Sequence, residues 1–191
     1  MTKPGKIPKA TITRLSMYYR QLELLEFDGY RMVSSEKMAW LCQVNPAQVR
    51  KDLGYFGEFG IRGVGYDVRD LQAQIKKILA VNRDWNVGVA GMGNLGSAFI
   101  EHQNLESGIT IQDIGELEST ADELDIEIAV ITTPPQAAQH VADLFLKSQV
   151  NAILNFSPTR IRVPECCLIE HIYCTVRLDI LTYQLRNEMG S

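Results

Sequence analysis

From Ala10 to Glu26 the apolar side chains Ile12, Leu15, Tyr18, Tyr19, Leu22 and Leu25 fall three or four residues apart, with Arg14 and Arg20 on other faces. That spacing predicts an amphipathic helix, which the FDGY stretch ends at Gly29. Ser34 and Ser35 stand where an N-cap belongs, ahead of Met38, Ala39, Leu41 and Cys42 at helical spacing. After the short QVN turn a third helix is predicted. Asn45 suits the N-cap, Pro46 the first helical position, and Gln48 the closing position of a capping box. Two helices joined by so short a turn form the helix-turn-helix pattern. The third helix turns Val49 and Leu53 inward and leaves Gln48, Arg50, Lys51 and Tyr55 free. GEFGIRGVGY follows and reads as a glycine-rich hairpin carrying Arg62. Asp67 and Asp70 then cap a helix reaching Val81, which is expected to link two domains.

Beyond Asp84 the pattern changes to apolar runs alternating with helices. NVGVAG is a short buried strand running into Gly91, Gly93 and Gly96, and NLGSAFIEH opens a helix. Glycines in this spacing, between a strand and a helix, let the backbone approach a pyrophosphate and let helix pack on strand. DIEIAVIT is a second strand, stopped by TPP. Gln136 to Ser148 is a helix with Ala138, Val141, Ala142, Leu144 and Phe145 on one face, and VNAILNF is a further strand. Strands alternating with helices give a parallel, doubly wound sheet, whose ligands bind beyond the carboxyl ends of the strands. Three strand ends therefore converge on one candidate nucleotide site. They bring together Gly91, Met92, Gly93, Asn94, Leu95 and Gly96, then Thr132, Thr133 and Pro134, then Asn155 and Ser157. Asn155 has two readings, one holding a carboxamide and one capping its own turn. The closing TVRLDILTYQLRNEM is an amphipathic helix that covers its own sheet or docks on a second subunit. The second is favoured, because helix-turn-helix proteins reading two-fold operators are usually dimers.

Charge divides the chain at the same place. The net charge of −4 splits into +6 for Met1 to Arg83 and −10 from Asp84 onward. One half suits a polyanion and the other is repelled by it, which suggests two domains with different tasks. The expected limits are 1–83 for a winged-helix DNA-binding domain, 84–174 for a Rossmann-like domain, and 175–191 for a dimerisation helix. In the first, Arg50 and Lys51 can neutralise phosphates, Gln48 and Arg50 can read base edges, and Arg62 can enter a minor groove. Apolar content of 46% in 191 residues argues against disorder, and no apolar run is long enough to span a membrane. Cys42, Cys166, Cys167 and Cys174 lack metal-ligand or disulfide spacing, so free thiols and a cytoplasmic location are expected, with no metal. Vicinal Cys166 and Cys167 read as small apolar fillers near a strand. His102, His140 and His171 have no Ser, Cys or acidic partner in a motif. A hydride-transfer enzyme needs an acid or base beside the nicotinamide, so no catalytic residue is assigned and no enzyme is expected.

With these motifs placed, the sequence resembles the Rex family of bacterial redox-sensing transcriptional repressors. The resemblance rests on IPKATITRLSMYYR, on VSSEKMAWLCQVNPAQVRKDLGYFGEFGIRGVGYDV, on GMGNLGSAF and on ILNFSPTRIRVP. It implies an N-terminal winged helix, a Rossmann domain binding NADH or NAD+ as a regulatory ligand, and a homodimer with exchanged C-terminal helices. It implies too that NADH releases the repressor from an inverted-repeat operator in double-stranded DNA. DNA contacts are thereby placed on Arg14, Gln48, Arg50, Lys51, Tyr55, Arg62, Gly63 and Gly65.

Three departures from the family pattern stand out. GITIQDIGELES matches a later family segment, so about twenty residues are missing between His102 and Gly108. The rival reading makes ITIQ a short strand and Asp113, 22 positions after Gly91, the ribose-binding acid. The other departures are His102 where the family has a tyrosine, and Tyr173 where it has an aspartate. With an arginine matching Arg20, these two positions relay cofactor state to the DNA-binding domains. Two alternatives follow: a regulator of this family with a lost or altered nucleotide response, and a small NAD-dependent oxidoreductase.

Overall fold

The structure is a computed structural model and describes residues 7–61, 63–102, 113–148 and 150–189. It divides into two compact units, Met1–Asp84 and Trp85–Ser191, each with its own apolar core.

In the first unit α1 (Lys9–Phe27) buries Leu15, Tyr18, Leu22 and Leu25. Ile12, expected on that face, is exposed, and Thr11 takes the buried place. Past α1 the Tyr30 N–H donates to the Leu25 carbonyl around Gly29, which has a φ of 80°. There follow β1 (Met32–Val33), α2 (Ser35–Leu41), α3 (Pro46–Gly54), β2 (Tyr66–Asp67) and α4 (Val68–Ile78). Each helix after the first has its cap. The Ser34, Asn45 and Asp67 side chains accept from the Lys37, Gln48 and Asp70 N–H groups at 3.2, 2.8 and 2.9 Å. β1 and β2 pair antiparallel, and between α3 and β2 Ile61 pairs with Gly65 across a tight turn, forming the expected hairpin. Arg62 lies outside the described residues. α4 stops at Ile78, short of Val81, and Ala80 follows at a φ of 55°. It is more than a connector: Val68, Leu71 and Ile75 are buried in the same core as α1. Its apolar stripe is wide enough to need a partner surface, and α1 supplies it.

The second unit runs β3 (Val87–Ala90), α5 (Asn94–His102), a 3-10 turn (Ile114–Glu116), α6 (Leu117–Glu123) and β4 (Ile128–Ile131). It continues with α7 (Pro135–Lys147), β5 (Ala152–Asn155), β6 (Leu168–His171) and α8 (Cys174–Met189). Among the described residues the four strands form one parallel sheet in the order β3-β4-β5-β6, a Rossmann-like α/β arrangement. Register places Ala90, Ile131, Asn155 and His171 in one row, so the carboxyl ends of the strands finish together. Ala138, Val141, Ala142 and Phe145 of α7 cover the sheet residues Ala129, Ile131 and Ile153. Cys167 is buried beside β6 but Cys166 is exposed, so only one of the pair fills space.

The periodicity of α8 differs from the expected amphipathic helix. Val176, Leu178, Ile180, Leu181 and Leu185 spread around its circumference, and all are exposed, Leu178 by 61%. A helix that exposes so many large apolar side chains normally packs against something. No helix among the described residues is long and apolar enough to cross a membrane.

Candidate functional site

In the first unit one buried carboxylate organises the outward face of α3. Asp52 is fully buried and accepts from the Arg14 Nε and Nη2 groups, Tyr18 Oη, Thr11 Oγ1 and Gln48 Nε2. The Arg14 Nη2, Tyr18 and Gln48 contacts are 2.8 to 2.9 Å, and that of Thr11 is 3.1 Å. Three of these donors sit on α1, so the network clamps α3 to α1 through polar contacts. Two expectations change accordingly. Arg14 is not a free cation: its guanidinium is forked onto Asp52 because a buried carboxylate demands a charged partner. Gln48 neither closes a capping box nor projects freely, since its amide reaches one turn on to Asp52. Asp52 itself was missed, because Arg50-Lys51-Asp52 reads in sequence as a solvated charged run.

What remains outward on α3 is Arg50, Lys51 and Tyr55, all exposed. Arg50 donates to Ser35 Oγ at 2.7 Å and lies 3.5 Å from Glu36, so α2 orients it. On α2, Lys37 stands 4.9 Å over the exposed Trp40 ring, a pairing the sequence reading did not single out. Gly63 and Gly65 shape the hairpin beside this face.

The Asp52 carboxyl titrates below its usual range. Burial pushes it up, but the bonds from Arg14, Gln48, Tyr18 and Thr11 outweigh that and hold it down. A carboxyl depressed in the folded state contributes stability above its unfolded value, about 3.9, and loses it as pH falls through the folded value. Acid titration of the first unit should therefore show stability declining below about pH 4. Asp52→Asn should flatten that decline, measured as melting temperature against pH; an unchanged slope would count against the network.

In the second unit the glycine turn meets the end of β4, with the end of β5 next in the sheet. Thr132 Oγ1 donates toward the Gly91 carbonyl at 2.6 Å and the Ala90 carbonyl at 3.1 Å, tying β4 to the turn. The three glycines divide their work as the fingerprint requires. Gly91 has a φ of 105°, and a Cβ there would lie 2.7 Å from Thr132 Oγ1. A Cβ on Gly96 would lie 1.9 Å from the Gly91 carbonyl, so only glycine lets α5 start this close to β3. At Gly93 a Cβ would meet nothing within 4 Å. That side of the turn is open. Met92, Asn94 and Leu95 around it are exposed, as is Pro134.

Two buried hydroxyls at these strand ends, Thr133 Oγ1 and Ser157 Oγ, have no hydrogen-bond partner. Such orphans cost stability and are uncommon away from functional sites. Asn155, by contrast, is hydrogen-bonded through both ends of its amide. Its Oδ1 accepts the Ser157 N–H at 2.9 Å. Its Nδ2 donates to the Ser157 and Thr159 carbonyls at 3.2 and 2.8 Å, and lies 3.0 Å from His171 Nδ1. Of its two readings the structure shows the turn-holding one. The arrangement that remains is an anion-accepting turn at the start of α5, flanked by two hydroxyls that need partners.

Comparison with known proteins decides what this pair of sites belongs to. Residues 6–54 match the family described as "Putative DNA-binding protein N-terminus", and residues 101–159 match "CoA binding domain". The redox-sensing transcriptional repressor Rex of Syntrophobacter fumaroxidans is 45% identical, covering 96% of this chain and 98% of its own. The repressor of the same name from Syntrophomonas wolfei is 44% identical over 96% and 97%. The chain belongs to the Rex family. Among solved structures, RSP, a Rex-family repressor in complex with beta-NAD+ and operator DNA, superposes with a TM-score of 0.86. It is 29% identical and covers 96% of this chain and 94% of its own. RSP in complex with beta-NADH gives 0.85 at 26% identity. Rex proteins are transcriptional repressors, and the oxidoreductase alternative falls with that assignment.

The Rex alignments also carry the mark of a deletion. That with the S. fumaroxidans repressor runs over 205 positions, more than the 191 residues of this chain, of which 96% take part. About twenty aligned positions therefore have no residue here. ITIQ and the side chain of His102 lie outside the described residues. Asp113 is exposed and its Oδ1 accepts the Gly115 N–H at 2.8 Å, capping the 3-10 turn. Of the other relay positions, Arg20 pairs with Glu23 at 3.0 Å, and Tyr173 stacks on His171 with ring centroids 5.7 Å apart. Tyr173 also lines a cavity of about 860 Å3 beside β6, with Arg160, Arg162 and His171.

Proposed function

We propose that this chain is a DNA-binding transcriptional repressor whose C-terminal crevice takes NADH or NAD+, and that NADH releases it from an inverted-repeat operator. The likeness to RSP bound to beta-NAD+ and operator DNA, over nearly the whole of both chains, carries this reading. The geometry of both units supports it. Arg50, Lys51 and Tyr55 form the outward face of the second helix of a helix-turn-helix, the element that enters a major groove. The hairpin at Gly63 and Gly65, with Arg62, serves as the wing. In the crevice, the N–H groups at the start of α5 receive the pyrophosphate, while Thr133 and Ser157 supply the hydroxyls nearest the nicotinamide side. The nicotinamide supplies a two-electron redox state, neutral when reduced and cationic when oxidised. Binding of NADH and of DNA are then coupled, each weakening the other by the same factor. The protein acts in the cytoplasm, as a gene regulator must in a bacterium.

A homodimer completes the reading. The apolar circumference of α8 is exposed in a single chain, and a second copy covering it would form an isologous interface. Exchange of α8 between subunits would cover apolar residues that lie on more than one of its faces. Leu181→Glu is expected to give monomers by light scattering and to weaken operator binding by more than about tenfold, because one half-site is lost. A dimer surviving that change would place the interface elsewhere.

The test of function uses an operator selected from a random duplex pool with the full chain. Titrating NADH at fixed salt should lower operator affinity, and NAD+ should lower it far less. Operator affinity indifferent to NADH ends the sensor reading. Arg50→Ala should weaken operator binding by about 1–3 kcal/mol, and Lys51→Ala should reduce the salt slope by about one, both with NADH affinity unchanged. Loss of both affinities together would contradict the assignment of separate tasks to the two units.

A further inference from the structure

An acid stands on the face that the first unit offers to a polyanion. Glu36 is exposed in the first turn of α2, and its Oε1 lies 3.5 Å from Arg50 on the outward face of α3. Ser35 bridges the two: its Oγ accepts from Arg50 Nη1 at 2.7 Å and donates to Glu36 Oε1 at 3.3 Å. One hydroxyl can do both at once. The Glu36 carboxyl titrates below its usual range, held down by its own backbone N–H, the Ser34 and Ser35 side chains and Arg50, so it is ionised at neutral pH. The bridge is anchored at the base of the hairpin. Val33 pairs with Tyr66, and a Cβ on Gly65 would lie 2.6 Å from the Val33 carbonyl and 3.3 Å from Ser34 Cα. Lys51, next on α3 and also exposed, has no ion pair among the described residues.

Stability does not explain this carboxylate. A pair whose side chains are 54% and 68% exposed contributes little to a fold. Beside DNA the same charge faces phosphates of its own sign. What it changes is the freedom of Arg50. A guanidinium reads a base edge only when its plane is held, whereas a point charge serves a phosphate in any orientation. Left loose, Arg50 would turn to the nearest phosphate, which is the same in every sequence.

We propose that Glu36, acting through Ser35, is a positioning residue for operator specificity: it denies Arg50 to the phosphates and holds its guanidinium for a base edge. The inference rests on the reading of α3 as the helix that enters the major groove. Two adjacent cations are thereby given different tasks by what tethers them. Arg50, held by α2, serves sequence recognition, and the untethered Lys51 serves affinity. The base pair that suits a held guanidinium is G·C, through O6 and N7 of guanine.

The test compares binding of the full chain to the selected operator with binding to duplexes that each carry a single changed base pair. Arg50→Ala identifies the pair that Arg50 reads, as the position where a change no longer matters. In the unaltered protein that change should weaken binding by about 5- to 150-fold. Glu36→Gln should cut this penalty by at least about threefold and raise affinity for unrelated duplex. Its salt slope should steepen by about one as Arg50 turns to a phosphate, with the melting temperature held. Ser35→Ala, which leaves the charge in place, should cut the same penalty. The double variant of Arg50→Ala with Glu36→Gln should show the penalties of Arg50→Ala alone. A penalty untouched by Glu36→Gln, with affinity raised alike for every duplex, would make the acid a plain repulsive charge and overturn the proposal. So would a further loss of discrimination in the double variant, because Glu36 would then act through another group. If Arg50→Ala itself leaves operator affinity and every penalty unchanged, the reading of α3 fails and the proposal with it.

Discussion

Asp52→Ala should cost the first unit about 3–5 kcal/mol, a third or more of the stability of an ordinary small domain. The reason is asymmetry. Asp52 is completely buried, and its removal leaves the Arg14 guanidinium facing no anion and Thr11, Tyr18 and Gln48 without an acceptor. Breaking a buried pair by deleting one partner costs far more than the pair contributes when whole. At about 4 °C or more per kcal/mol for a domain of this size, the melting temperature of the first unit should fall by at least about 12 °C. Calorimetry of the full chain should show that transition moving alone. Operator affinity should fall too, since α3 loses its brace against α1 and Arg50 and Lys51 lose their fixed presentation. The double variant Arg14→Met with Asp52→Leu should be less destabilised than Asp52→Ala, because it removes both charges together. A loss below about 1 kcal/mol for the single change would mean that apolar packing alone sets the helix position.

The fate of Asp52 shows what was legible in the sequence and what was not. Helical spacing located α1, the caps at Ser34, Asn45 and Asp67 located the three helices after it, and each cap bond is present. These are signals within a few residues of chain, where local chemistry decides. The Asp52 network joins Thr11 to a residue 41 positions away, and no local pattern announces such a pairing. β6 escaped because LIEH is short and half exposed, and α6 because LESTADE buries only Ala121. α4 read as a connector because its place on α1 is a tertiary fact. In the crevice the glycine spacing was legible, since fingerprint glycines are fixed by backbone geometry. The role of Asn155 was not. A carboxamide suits a ligand or a turn equally, and only the geometry around Ser157 and Thr159 assigns it to the turn.

Gly96→Ala should abolish nucleotide binding, lowering NADH affinity by about 100-fold or more, while the first unit melts as before. The new Cβ would stand 1.9 Å from the Gly91 carbonyl and 2.9 Å from Thr132 Oγ1. The first contact is with backbone, so no rotamer change relieves it. α5 must shift outward, taking its N-terminal N–H groups from the phosphate position and loosening the Thr132 tie. Overpacking of this kind costs about 1–3 kcal/mol, so the second unit should melt earlier as well. Gly93→Ala separates packing from approach. Its Cβ meets nothing within 4 Å, so the melting temperature should hold while the methyl group occupies the space a pyrophosphate needs. Fluorescence titration with NADH reads both variants. Normal binding by Gly93→Ala would mean that no phosphate approaches the turn, and the crevice would lose its claim to the nucleotide.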